Sequence, residues 1–149
     1  MLFRSANWPL TLGRDGARTP IPWQSEAPYA GFSATRPWLP IPREHLPLAV
    51  DLQSSDPASQ LAATKRLIAL RNSCAALRVG SLKVLESSAS VLVIERSYRD
   101  DRLLCVFNFG RTMHSFCAAP AGQWSVLESV GGAEPWDLPA MSGLIAQQL

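Results

Sequence analysis

No block of like charge interrupts this sequence. Its 149 residues carry 14 Lys and Arg against 12 Asp and Glu, a formal net charge of +2, and the two signs are interspersed. That excludes the basic groove of a nucleic-acid binder and a polybasic membrane patch, and it suits a neutral substrate. No apolar run approaches the roughly 20 residues that cross a bilayer. The first residues, through Pro9, hold an early proline and no continuous apolar stretch of the kind a secretory signal needs. Cysteine is scarce: Cys74, Cys105 and Cys117 make an odd number without paired spacing. Reduced thiols in a cytoplasmic setting follow more naturally than a disulfide framework. The histidines are His45 and His114 alone, and Cys105, His114 and Cys117 lack the Cys-x-x-Cys knuckle and the fourth ligand of a structural zinc. Neither metal nor cofactor is expected. There is no Gly-x-Ser-x-Gly elbow, phosphate loop or Cys/His dyad. Nor do the acidic residues suggest a catalytic carboxylate pair about 5 Å apart. Asp51 and Asp56 read as helix-start residues, Glu95 as a strand residue, and Asp100 and Asp101 as turn formers.

What the chain has in quantity is proline and apolar residues. Hydrophobic residues make up 47% of it, enough for one domain with a core plus an arm. Of its 12 prolines, Pro20, Pro22, Pro28, Pro37, Pro40, Pro42 and Pro47 crowd one segment, where each removes a backbone donor and disfavours helix before it. Residues 13–55 therefore read as a long loop, and Trp23, Tyr29, Phe32 and Trp38 argue that it is ordered. Such aromatics serve either as core anchors or as flat stacking platforms, and the anchor role is the commoner. With few internal backbone partners, the arm is expected to depend on docking.

Asp56 and Pro57 open a helix expected over 57–77, with Asp56 as N-cap and an apolar face of Leu61, Leu67, Ile68, Leu70, Cys74 and Leu77. Part of that face is expected to stay uncovered and to promote self-association. After Gly80 the period turns to alternation, predicting strands at 82–87, 90–98, 102–109, 113–118, 124–129 and 143–148 with a hairpin turn at Arg99, Asp100 and Asp101. Val91, Val93, Val106, Phe107, Phe109, Phe116, Trp124 and Val126 are the core candidates. Six short strands burying one face each point to an antiparallel β-sandwich.

The stretch Gly13-Arg14-Asp15-Gly16-Ala17-Arg18-Thr19-Pro20-Ile21-Pro22-Trp23 is the most distinctive. Glycines allow sharp turns, prolines stiffen, and two guanidinium groups with a carboxylate offer planar hydrogen bonding. By spacing alone Arg14, Asp15 and Arg18 suit an internal ion pair that shapes the loop as well as a substrate contact. This stretch resembles a signature of the α-amylase superfamily, in its α-glucosidase and oligo-1,6-glucosidase branch, with Ile21 where that branch has methionine. The likeness continues through Ala30-Gly31-Phe32-Ser33, Pro37-Trp38-Leu39-Pro40, Asp56-Pro57 with Ser59, and Arg66-Leu67-Ile68-Ala69-Leu70-Arg71, then fades.

The resemblance implies an α+β fragment. Residues 1–79 would be the remnant of a (β/α)₈ barrel, comprising the eighth βα loop (13–55) and the last barrel helix (57–77). Residues 80–149 would be a β-sandwich C-terminal domain. A whole barrel needs about 250 residues, and the family's nucleophilic aspartate, acid/base glutamate and Asn-His-Asp segment precede the signature. The chain is thus expected to be catalytically inactive alone and to serve the hydrolysis of terminal α-linked glucose, with malto- or isomalto-oligosaccharides as substrates. Arg14, Asp15, Arg18 and Trp23 would bind substrate. The alternative is a non-catalytic β-sandwich carbohydrate-binding or interaction module.

Overall fold

Where the helical period gives way to alternation, the chain builds an antiparallel sheet. The computed structural model describes residues 18–115 and 121–149. The strands are β1 (Ser81–Ser87), β2 (Val91–Tyr98), β3 (Asp101–Asn108), β4 (His114–Ser115), β5 (Trp124–Val130), β6 (Asp137–Leu138) and β7 (Ser142–Gln148). Five of them form one sheet in the order β1-β2-β3-β7-β5, and β4 pairs with β6 in a second. Five expected strands appear within about two residues of their predicted ends. The fourth is described only for His114–Ser115, and Phe116 and Cys117 lie outside the described residues. The two-residue β6 was not anticipated. The β2–β3 hairpin is tight: Tyr98 pairs with Asp101, and Arg99 takes a positive φ of 55° in the turn.

β3 lies in the middle of the sheet and is covered on both faces, so Leu103, Leu104, Cys105 and Val106 are buried in succession. Leu104 and Val106 join Val91, Val93, Leu144 and Ala146 in the main core, which Ala133 and Leu138 close from above with Trp124 and Trp136 against it. Each fully buried leucine or valine there contributes about 1.5–3 kcal/mol. Two expected core residues prove otherwise: Phe109 is 59% exposed and Val126 is 39% exposed. The reason for Phe109 is parity. Asn108, not Phe109, is the inward residue at that end of β3, and Phe109 stacks on Phe107 at 6.0 Å between centroids. Val126 belongs to β5, an edge strand with a bulge between Val126 and Glu128.

Asn108 is 2% exposed and ties the β3 end to two other segments. Its amide nitrogen donates to the carbonyls of Thr112 (2.9 Å), Leu138 (3.0 Å) and Pro139 (2.9 Å). Its Oδ1 accepts from the Gly110 N–H at 2.8 Å.

The helical region departs from expectation in three ways. Residues 50–55, inside the expected loop, form helix α1 (Val50–Ser55). The single helix expected over 57–77 is instead α2 (Gln60–Ser73) and α3 (Ala75–Val79), separated at Cys74, whose φ of −107° and ψ of 114° are extended. The cap also differs. Asp56 accepts from the Ala58 N–H at 2.8 Å in a local turn, whereas Ser59 Oγ accepts from Ala62 N–H at 3.1 Å and donates to the Gln53 carbonyl at 2.6 Å. The Gln53 side chain adds a bond from Leu61 N–H at 3.1 Å, so the α2 N-terminus is satisfied from α1.

The break at Cys74 turns α3 onto β2 and β3. Arg96 holds it there, with Nε donating to the Ala76 carbonyl (3.1 Å) and a terminal nitrogen to those of Leu77 (3.3 Å) and Gly80 (3.0 Å). A Cβ at Gly80 would sit 2.4 Å from the Ala76 oxygen and 2.7 Å from that of Ser97, so only glycine permits this approach. The chain groups into two compact units, the first ending at Ala63 and the second Thr64–Leu149. Within the second, Arg66 Nε meets both carboxylate oxygens of Glu128, at 3.1 and 3.2 Å, joining α2 to β5.

Candidate functional site: a clamped arm with exposed aromatics

Arg14 and Asp15 lie outside the described residues. From Arg18 on, the segment alternates. Pro20 and Pro22 are buried, while Arg18, Ile21 and Trp23 face outward, Trp23 with 50% of its surface exposed. Proline suits the inward positions because it buries no N–H that would need a partner. Arg18 makes no hydrogen bond or ion pair among the described residues, so its guanidinium is available to an external acceptor. Arg18 and Trp23 thus emerge on one outward-facing run.

Two devices hold that run, and neither was evident from the sequence. The first is the start of α1: Val50 N–H donates to the Pro22 carbonyl at 3.0 Å and Asp51 N–H to that of Trp23 at 3.1 Å. The Asp51 carboxylate accepts from the Ser25 N–H at 2.9 Å and its hydroxyl at 3.2 Å, and from Leu52 N–H at 2.8 Å. The Ser25 backbone N–H, foremost, holds the Asp51 carboxyl below the usual carboxylate range, against a smaller opposing effect of desolvation. The second device is a left-handed turn in the 3-10 segment Pro28–Gly31, where Tyr29 (φ 52°), Ala30 (φ 50°) and Gly31 (φ 67°) all take positive φ. Left-handed geometry costs a non-glycine residue on the order of 1–2 kcal/mol. Here it aims the Ala30 carbonyl at both Trp23 N–H (2.8 Å) and Gln24 N–H (3.0 Å). The arm expected to lack internal partners is therefore hydrogen-bonded to itself.

The aromatics are not its anchors. Among the described residues of the arm, Ala30, Leu39 and Ala49, with Pro20 and Pro22, are the buried ones, whereas Trp23, Tyr29, Phe32 and Trp38 are exposed, Trp38 by 79%. A pocket of about 370 Å³ opens beside the left-handed turn, with Tyr29, Arg36, Trp38, Leu39, Ile41 and Leu46 among its lining.

Elsewhere two carboxylates are held in ion pairs. Glu95 meets Arg102 at 2.5 Å and Glu128 meets Arg66. Burial pushes the Cys105 thiol up to about 11, against a lowering by Arg96. Among the described residues no three His, Cys, Asp or Glu side chains cluster as metal ligands, and no helix is long and apolar enough to cross a membrane.

The fold of this chain is matched by solved structures of α-amylase-type fold. Trehalulose synthase MutB from Pseudomonas mesoacidophila MX-45 matches with a TM-score of 0.80 and 28% identity over 91% of this chain and 26% of that one. An alpha-glucosyl transfer enzyme matches with a TM-score of 0.80 and 33% identity over 95% of this chain and 27% of that one. The chain belongs to the alpha-amylase family, whose catalytic-domain model matches residues 3–80.

Among curated relatives, a probable alpha-glucosidase of Rhizobium meliloti (strain 1021) is 44% identical over 101 residues, 68% of this chain and 18% of its own length. An oligo-1,6-glucosidase of Halalkalibacterium halodurans is 36% identical over 109 residues, 72% of this chain and 19% of its own length. The chain spans about a fifth of the length of these curated relatives.

Proposed function

We propose that residues 1–149 form the C-terminal part of an α-glucosidase, acting in the removal of terminal α-linked glucose from oligosaccharides in the cytoplasm. In this reading residues 1–79 complete a (β/α)₈ barrel and residues 80–149 form a small β-sandwich domain, with Leu138 of the two-stranded sheet closing over the larger one. The supporting observation is the 44% identity with a probable alpha-glucosidase, in a chain whose family match covers residues 3–80 and so contains the arm. Arg14, Asp15, Arg18 and Trp23 contact the sugar at the substrate mouth. Arg18 is free to donate to hydroxyls, and Trp23 offers an exposed face.

The family's carboxylate pair has no counterpart among these residues, and residues 1–149 alone should not hydrolyse a nitrophenyl α-glucoside. A chimera in which this chain replaces the matching segment of the Rhizobium meliloti relative should hydrolyse that substrate, and Arg18→Ala should lower kcat/KM by about tenfold or more. An inactive chimera that folds, or turnover by residues 1–149 alone, would sink the reading. The second reading, a carbohydrate-binding module, is favoured by one observation, the exposure of Trp23, Tyr29, Phe32 and Trp38 on a single unit.

A further inference from the structure

We propose that the pocket beside the left-handed turn binds one pyranose ring of a neutral gluco-oligosaccharide, with Trp38 and Tyr29 as stacking faces and Arg36 as hydrogen-bond donor. The choice of a sugar rests on the α-glucosidase reading; the site itself rests on the geometry. At about 370 Å³ the cavity is of a size that takes a small ligand.

Its lining divides into two kinds of chemistry. Leu39, Ile41 and Leu46 are apolar, and Tyr29 and Trp38 add aromatic surface that is 41% and 79% exposed. Among the described residues Arg36 is the only charged member of the lining, and it makes no hydrogen bond or ion pair with them. A guanidinium carries five N–H donors and no acceptor. An occupant that is apolar throughout would strip water from Arg36 without replacing its hydrogen bonds, which is unfavourable. A pyranose answers both kinds of surface, since its C–H face lies flat on an aromatic ring while its hydroxyl and ring oxygens accept from the guanidinium.

The left-handed turn supports the same conclusion. Tyr29 and Ala30 both line the cavity and both occupy a conformation disfavoured for their residue types, and such conformations concentrate at ligand clamps. The Ala30 carbonyl, bound by two N–H groups, fixes the backbone that carries Tyr29.

The test is titration of residues 1–149 with maltotriose and with isomaltotriose, followed by calorimetry and tryptophan fluorescence. Saturable binding with Kd on the order of millimolar is expected. Trp38→Ala and Arg36→Ala should each weaken it by about fivefold or more. Phe109→Ala, an exposed aromatic on the sheet, should leave it unchanged. Circular dichroism of each variant confirms that the fold is kept, as the exposure of Trp38 predicts. Absence of saturation up to ~50 mM sugar, binding indifferent to both pocket substitutions, or displacement of the sugar by inorganic phosphate would each overturn the proposal, the last by making the pocket an anion site. Because binding is read on residues 1–149 and hydrolysis on the chimera, failure of the pocket and failure of the α-glucosidase reading are separate outcomes.

Discussion

Replacing Asn108 with alanine removes a small group on which three chain segments converge. The amide donates to the carbonyls of Thr112, Leu138 and Pro139 and accepts from Gly110 N–H. Its two N–H groups are shared among three carbonyls, so three full bonds is the better estimate. At about 1 kcal/mol net for each bond, plus about 1–3 kcal/mol for a buried partner left unsatisfied, the loss should be about 4–6 kcal/mol. Small domains have about 5–15 kcal/mol in all, so the change is large. For a domain of 60–100 residues it should lower Tm by more than about 10 °C. Asn108→Asp should be worse at neutral pH, since it sets a carboxylate against three carbonyl oxygens and removes both donors. Part of that loss should return as acidification protonates the new carboxyl. Urea unfolding followed by tryptophan fluorescence gives the midpoint and slope for each variant. An alanine variant within about 1 kcal/mol of the parent would refute the claim that Asn108 joins these segments.

Asp51→Ala should release the arm while leaving the sheet intact, read as faster exchange of the Trp23, Gln24 and Ser25 amides with no change in β2 and β3. Because the Asp51 carboxyl is held below its ordinary pKa, its contribution is present above about 3.9 and disappears as pH falls through the lower folded value. Ser25 exchange that is independent of pH in that window, after correction for intrinsic rate, would contradict the clamp. The Cys105 thiol, pushed up to about 11, should resist alkylation at pH 8 in the native state and react on unfolding. Mass-spectrometric detection of rapid Cys105 modification would show that the central strand is accessible. Self-association is expected because no residue of α2 is fully buried and the edge strand β1 exposes Leu82, Val84 and Leu85. Sedimentation velocity should show mass rising with concentration, and a monomer throughout would count against it.

Much of the sheet was readable one residue at a time. Alternation placed Val91 and Val93 inward on β2, and the polar Arg99 and Asp100 marked the hairpin, because side-chain direction in a strand and conformation in a tight turn are local properties. Pro20 and Pro22 sit buried in the arm, where a residue without an N–H leaves no donor unsatisfied. What the sequence alone could not reveal depends on partners far along the chain. The break at Cys74 coincides with carbonyls that Arg96 gathers from some twenty positions away, and the α2 cap moved to Ser59 because Gln53 supplies both an acceptor and a second cap.

Leu138 lies in a strand of two residues, too short to show a period, yet it is fully buried because the second sheet lays it over the first. The arm illustrates the same division. Its prolines were correctly seen as unable to donate, but the carbonyls of Pro22 and Trp23 accept from Val50 and Asp51. Composition determines which groups each residue has to offer. Only the tertiary structure decides which of them meet, because a hydrogen bond across nearly thirty residues depends on how the intervening chain is folded.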